Sequence, residues 1–430
     1  MPADHRDAAP APAPARPPSA VRIVHAADIH LDSPLRGLAR LGDDDLARTL
    51  RQASRGALAN LVALCEEQGA DVLVIAGDLY DGTWHDYATG RFFTEQMRRL
   101  ADSGIRVFLA SGNHDAESQI THSLTLPPNV HLFDVGAAET LVLDDLGLAV
   151  HGQGYRTKAV SDNLAADYPE RVSGLVNVGV LHAAVDGSAG EHARYAPCSV
   201  ADLRALGYEY TALGHIHVRQ VLLSGEHTVA YSGNLQGRHP RETGPKGAYV
   251  VDLEPGAEAR ASFHALDVAR WEALEVDVSG AQDYPEVLER VQAEFTTARA
   301  QAGDRPLVVR ATLVGTTPAA ARLADAERLR EEVGQVAALT GVTCERARSR
   351  AAAPAALQPV DADLLAAVRR AAAAQVAQPG ELTKPLRQLR TEVGLDLAEG
   401  ELLDLKDPRT LAALAQEAAA ELEARLGGLR

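Results

Sequence analysis

The sequence predicts a layered α/β domain, followed by a small α+β module and a helical C-terminal region. Three observations carry that expectation. From Val21 to about Leu253, short β-branched runs alternate with helical stretches; each run is almost continuously apolar; and the pattern changes near Trp271 and again near residue 349. Continuous apolarity in such short pieces suits strands covered on both faces, and strands alternating with helices build layers. A chain of 430 residues is also too long for one ordinary core, since domains average roughly 150 residues.

The elements follow in order. Residues 1–20, MPADHRDAAPAPAPARPPSA, are rich in Pro and Ala and lack the apolar stretch of a signal peptide, so they read as a disordered tail. The first domain is expected over residues 21–268, with strands in VRIVHAA, ADVLVIAG, IRVFLASG, LVNVGVLHA and YTALGHI. Helices are expected over 43–68, stopped by Gly69, and over 87–101, closed near Gly104. Asp43, Asp44 and Asp45 then form an acidic cluster favourable at a helix N-terminus.

A second module is expected over 269–348. It reads as strand WEALEVDV, helix PEVLERVQAEFTTARAQA, strand RPLVVRATLVG, a helix over 319–339 and the short stretch VTCERAR. At roughly 75 residues it sits near the lower limit for a core without staples. Residues 349–360 read as a linker and 361–430 as helical. Asp407-Pro408 makes an N-cap and first-turn pair, and Gly427 a stop. Leu411, Leu414, Ala418, Leu422 and Leu426 fall on one face, which suits packing on the same chain or docking of a partner equally.

Composition narrows the chemistry. A hydrophobic share of 46% with 23% charged residues is ordinary for a soluble globular protein. The formal charge of -17 argues against non-specific coating of nucleic acid, which needs Lys and Arg to release counterions. It leaves a phosphate-cutting enzyme open, because bound cations invert the local field. Cys65, Cys198 and Cys344 are far apart and form no CxxC pair, which argues against thiolate zinc sites and a disulfide scaffold. No apolar run approaches the roughly 18 residues of a membrane span, so a cytoplasmic protein with no membrane partner is expected.

Each of the five predicted strands ends in side chains able to hold a metal. They are Asp28 and His30; Asp78; Asn113, with His114 and Asp115; His182; and His215 and His217. Ligands of α/β sheets collect beyond the carboxyl ends of strands, so five ends can meet at one place. Imidazole, carboxylate and amide without thiolate suit manganese, iron or zinc. A carboxylate such as Asp78 can bridge two ions roughly 3.5–4 Å apart, a pair that would bind a phosphate and acidify a bridging water. Glycines before Asp78, Asn113 and His215 would let the backbone turn sharply there.

DxH, GDxxD, GNHD, a lone His and GHxH, in this order over roughly residues 21–253, resemble the calcineurin-like metallophosphoesterases. The resemblance implies a layered β-sandwich phosphoesterase domain and two divalent ions. One would take Asp28, His30, Asp78 and His217; the other Asp78, Asn113, His182 and His215. It further implies that His114 stabilises the pentacovalent phosphorus or protonates the leaving oxygen, with Asp115 orienting His114. GDLYD and the run YSGNLQGRHPRETGPKGAYVVDL look like the DNA-repair exonuclease branch, the SbcD-like nucleases. That likeness implies Mn²⁺-dependent 3′-to-5′ exonuclease and single-strand endonuclease activity on DNA, in which metal-activated water attacks the phosphodiester. It also implies an SMC-like coiled-coil ATPase partner, a homodimer and a DNA-capping role for the second module, with the C-terminal helices as an ATPase-docking site.

Arg238, Arg241 and Lys246 are candidates to grip the DNA backbone, since Arg and Lys supply most phosphate contacts. A solvated basic loop is the competing reading. His25, inside a strand, reads as core; His85 as surface loop; His151, ending LGLAVHGQG, as a possible pocket residue. Two other functions compete: a phosphatase or phosphodiesterase for a small phosphoester, and a non-catalytic scaffold on the same fold.

Overall fold

The computed structural model describes residues 20–33, 44–81, 87–117, 125–188, 194–354, 362–378, 382, 386 and 407–427. The tail expected over 1–20 (apart from Ala20), Asp43, His85 and the second half of the expected linker lie outside the described residues, as do the side chains of Asp44, Leu422 and Leu426. The chain divides into two compact units. One runs to Glu272 and includes Gln301–Val308; the other comprises Ala273–Ala300 and the chain from Val309 onward. Among the described residues, no helix is long and apolar enough to cross a membrane.

The first unit is built on two six-stranded sheets rather than on one open sheet. In the first sheet β1 (Val21–Ala26), β2 (Val72–Ala76), β3 (Arg106–Ala110) and β4 (Val130–Leu132) run parallel, while β11 (Gly247–Leu253) and β12 (Arg260–Ala265) continue the β1 edge antiparallel. The second sheet has the order β5-β6-β7-β8-β10-β9. Its parallel strands are β6 (Leu148–Gly152), β7 (Val176–His182), β8 (Tyr210–Gly214) and β10 (Thr228–Tyr231). β5 (Glu139–Leu143) and β9 (Gln220–Leu223) are antiparallel edges.

Alternation along each strand shows how the layers form. In β2, Leu73 and Ile75 join the cluster containing helix α1 (Asp44–Glu67) and helix α2 (Tyr87–Asp102), whereas Val72, Val74 and Ala76 join the cluster shared with the second sheet. In β3 the division is Val107 and Leu109 against Phe108 and Ala110. Side chains of a strand alternate between faces, so a run apolar at every position needs a cover on each side. Here α1 and α2 supply one through Leu58, Leu61, Phe93, Met97 and Leu100, and Val150, Val178, Val180 and Ala212 of the second sheet supply the other. Each of these side chains larger than Ala, fully buried, stabilises the fold by roughly 1.5–3 kcal/mol. The outer face of the second sheet is covered by Tyr155, Tyr168, Val185, Cys198 and Leu203, from loops and a short helix.

The second unit centres on a three-stranded sheet of order β13-β14-β15, formed by Arg270–Asp277, Leu307–Val314 and Thr343–Ser349. The helix expected over 319–339 is two helices, Ala320–Leu323 and Ala326–Thr340, because Asp325 leaves the helical region to accept from Arg328 N as an N-cap. Asp407 caps the helix Pro408–Gly427 by accepting from the backbone of Arg409 and Thr410. On that helix Leu411 is buried, but Ala418 of the expected stripe is exposed and Ala415 takes its place.

Candidate metal centre

The five ligand-bearing loops follow β1, β2 and β3 of one sheet and β7 and β8 of the other, so the carboxyl ends of parallel strands in both layers face one place. Asp28, His30, Asp78, Asn113, His182, His215 and His217 are all buried there. The backbone is held unusually at four of them: Asp28 (φ 51), His30 (φ 44), Asp78 (φ 52) and His215 (φ 100) lie in the left-handed region without being glycine. Such conformations cost of order 1–3 kcal/mol each and persist where the surroundings over-determine them. Here the strand ladder supplies part of that constraint, since Asp28 N donates to Gly77 O and His30 N to Asp78 O, both at 3.0 Å. The two sheets also approach very closely. A Cβ on Gly214 would meet Ala76 O at 1.8 Å, and one on Gly77 (φ +94) would meet His182 Nδ1 at 2.2 Å.

The donor set can be tested for cation fit through its hydrogen bonds. His182 gives its Nδ1–H to Ala76 O at 2.9 Å, so Nε2 carries a lone pair. That lone pair faces two acceptors, Asn113 Oδ1 at 3.1 Å and Asp78 Oδ2 at 3.5 Å. His217 gives Nδ1–H to Glu242 Oε1 at 2.5 Å, so its Nε2 lone pair faces His30 Nε2 at 3.2 Å and Asp28 Oδ1 at 3.9 Å. His30 Nδ1 is buried with no hydrogen-bond partner. The His182 lone pair aimed at two oxygens out of reach of water is repelled unless a cation sits among them. Among the described residues three groups of ligand atoms lie within 4.8 Å of one another: Asp28–His30–His217, Asp28–Asp78–His182 and, at the rim, His30–Asp81–His114. The chemistry of the donors therefore fits two divalent ions. The His215 ring stands edge-on to His182 with centroids 5.2 Å apart.

The electrostatics agree. Burial, reinforced by the charge of Asp78, raises the Asp28 carboxyl well above its ordinary range, and burial pushes Asp78 up to about 6. Burial, with the charge of Arg238 and the neighbouring histidines, keeps His30 well below the usual imidazole value, in the neutral form a metal requires.

Asp115 does not orient His114. Its carboxylate accepts from three backbone amides, Leu79 N at 3.1 Å, Tyr80 N at 2.8 Å and Gly112 N at 3.0 Å, and so ties the loop after β2 to the loop after β3. The partner of His114 is Asp81, with Nδ1 2.7 Å from Oδ1. His114 points outward from β3 while Asp115 turns inward, and sequence adjacency concealed that division. The backbone N of His114 donates to Asp78 Oδ1 at 2.9 Å.

The three expected DNA-gripping cations separate. Arg238 is half-buried beside the centre, its guanidinium on Ser33 Oγ at 3.1 Å and Asp81 Oδ2 at 3.2 Å. Arg241 is exposed. Lys246 is buried and donates to His217 O at 3.1 Å, so it holds the ligand loop. His151 is held between Thr140 and Asn177 with its ring stacked on Tyr208, and His25 between Tyr210 and the backbone of Leu213; neither reaches the centre. Glu242, which the sequence did not single out, is the carboxylate behind His217.

Comparison with known proteins follows the same division of the chain. Residues 21–219 match the family described as calcineurin-like phosphoesterase, and residues 271–352 match the middle domain of metallophosphoesterase YhaO. The chain is 34% identical over 299 residues to the uncharacterized metallophosphoesterase YhaO of Bacillus subtilis (strain 168), covering 69% of this chain and 72% of that protein. It is 25% identical over 301 residues to the DNA double-strand break repair protein Mre11 of Methanopyrus kandleri, covering 63% of this chain and 62% of that one. To the SbcD subunit of the nuclease SbcCD of Bacillus subtilis (strain 168) it is 25% identical over 276 residues, 56% of this chain and 68% of the other.

Proposed function

This chain belongs to the calcineurin-like metallophosphoesterase family, and from that premise we propose that it is a dinuclear-metal-dependent DNA nuclease acting in double-strand break repair. The observation that carries the hydrolytic part is the convergence of the His30, His182 and His217 ring nitrogens on the buried carboxylates of Asp28 and Asp78. In this reading one ion takes Asp28, His30, Asp78 and His217, the other takes Asp78, Asn113, His182 and His215, and the metal is manganese, which accepts mixed imidazole and carboxylate ligands. When bound, two such ions supply Lewis acidity toward the phosphate oxygens and acidify the attacking water.

The protein's own groups do the rest. Asp81 holds His114 through Nδ1, which leaves Nε2 to stabilise charge on the phosphorus centre or to protonate the leaving oxygen. In this reading Arg238, whose guanidinium meets Ser33 and Asp81, also offsets phosphate charge. No side-chain nucleophile is required, and Cys65 and Cys198 are buried, with their thiols raised by that burial.

DNA as substrate is supported by the two relatives named for break repair and nuclease activity. The 3′-to-5′ exonuclease and single-strand endonuclease activities, a coiled-coil ATPase partner and a homodimer belong to the same proposal; one of those relatives is itself named as one part of a larger nuclease. The test is Mn²⁺-dependent cleavage of an end-labelled DNA hairpin, with chelator and His114→Ala as controls. Release of nucleotides supports the reading. Hydrolysis of a small phosphoester with DNA left intact would replace it with the second reading, a phosphatase or phosphodiesterase for small substrates. The charge of -17 favours that alternative, as does the burial of Lys246, which removes one of three cations expected on the DNA backbone.

A further inference from the structure

We infer that Glu242 is a positioning residue of the metal centre, fixing His217 in the tautomer that offers Nε2 to the first ion and tying that histidine to the loop that carries Arg238. The inference rests on the dinuclear reading above and deepens it.

The geometry assigns each oxygen of this buried carboxylate a separate task. Oε1 receives His217 Nδ1–H at 2.5 Å and lies 3.5 Å from His239 Nε2. Oε2 receives Asn234 Nδ2–H at 2.9 Å and the backbone N–H of Arg238 at 2.6 Å. Every group facing Glu242 in these contacts is a donor, so both oxygens must accept, and only a carboxylate does that. An amide of the same shape fails in either orientation. With its NH₂ toward Asn234 and Arg238 it opposes two donors. With its NH₂ toward His217 it drives the imidazole proton from Nδ1 to Nε2, where it occupies the lone pair the ion needs. Histidine ligands are commonly set in this way by the partner of their second nitrogen.

Glu242 also joins the two sides of the centre. Through Arg238 N it holds the backbone of the residue whose guanidinium meets Asp81, the partner of His114. The loop does not depend on Glu242 alone. Gln236 bonds Val268 N and Ala269 O, both at 2.7 Å, Trp271 Nε1 donates to Gly237 O at 3.2 Å, and Lys246 Nζ holds His217 O. Removing one charge therefore leaves a framework for the loop.

The experiment is a Mn²⁺ titration of the full chain by calorimetry, with bound metal counted by elemental analysis, for wild type, Glu242→Gln, His217→Ala and the double variant. Wild type binds two ions. Glu242→Gln weakens one of the two sites roughly ten- to a hundredfold and spares the other. In the His217→Ala background the same change adds nothing, because its effect runs through that ring. Wild-type affinity at both sites in Glu242→Gln, or a further loss in the double variant, would overturn the inference. A second measurement needs no variant: ¹⁵N spectra of the metal-free wild type should show the His217 ring protonated at Nδ1 and bare at Nε2, and the opposite tautomer would overturn the inference equally. Wild-type protein that binds no Mn²⁺ at all overturns the dinuclear reading instead, so the two failures are distinguishable.

Discussion

His114 Nδ1 lies 2.7 Å from Asp81 Oδ1, so the loop after β2 holds a ring displayed by the loop after β3. The same carboxylate receives Ser33 Oγ–H at 2.5 Å from the loop after β1 and the Arg238 guanidinium at 3.2 Å from the loop after β10. Although burial opposes it, the bond from His114 and the charge of Arg238 hold Asp81 below the usual carboxylate range. Four segments thus meet on one ionised group outside the metal-ligand set.

His114→Ala should lower kcat by about a hundred- to ten-thousandfold, the range of groups that handle a proton in the transition state. Asp81→Asn should lower it in the same direction and should also lower Tm, since the amide gives up the charge that Arg238 and Ser33 meet. Both variants should still bind two ions by elemental analysis. A normal rate in Asp81→Asn would sever the link to His114.

Asp115→Ala should behave oppositely. It strips three buried backbone amides of their acceptor, at roughly 1–3 kcal/mol for each group left unsatisfied. Thermal unfolding should show a clear drop in Tm, and the surviving folded fraction should retain its kcat.

Protons and metal compete for the same carboxylates. The raised values of Asp28 and Asp78 mean that the metal-free fold holds protons the unfolded chain has released. Their contribution to stability is therefore present below the ordinary carboxylate value and is lost as pH rises toward about 6 and beyond. Because only the deprotonated carboxylates hold metal, Mn²⁺ should raise the Tm of chelator-treated protein more at pH 7.5 than at pH 5.5. An equal metal-induced shift at both values would contradict the assignment.

Gly77→Ala tests the close approach of the two sheets. Gly77 combines a φ of +94 with a Cβ position 2.2 Å from His182 Nδ1, so even a methyl group must displace the ring or the strand. The variant should lose stability and bind one ion where wild type binds two, which metal analysis of the folded fraction will count.

The cations make a separable prediction for DNA. Arg241→Gln should weaken binding uniformly across sequences and reduce the slope of log K against log salt by about 0.9 for each contact with duplex phosphate. Lys246→Met should leave that slope unchanged and lower Tm, since its ammonium is on His217 O. A change of slope in Lys246→Met would put that side chain on the nucleic acid.

The sequence by itself determined which strands end in ligands. VLVIA is apolar at every position and RVFLA at every position after Arg106, and a strand of that kind must be covered twice, so layers and buried strand ends followed from the run alone. Asp28, His30, Asp78, Asn113, His182, His215 and His217 were legible because each stands at or just beyond such an end. What covers each face was not legible, since apolarity does not distinguish a helix from a second sheet; only the packed structure shows helices against Leu73 and Ile75 and another sheet against Val72 and Val74. Nor could adjacency choose the partners of polar groups. Asp115 neighbours His114 in sequence and serves the backbone, while Asp81 and Glu242 reach His114 and His217 from other loops. A ligand at a strand end is fixed by local geometry, whereas the group behind it depends on which distant loop folds over it, and that is decided by tertiary packing.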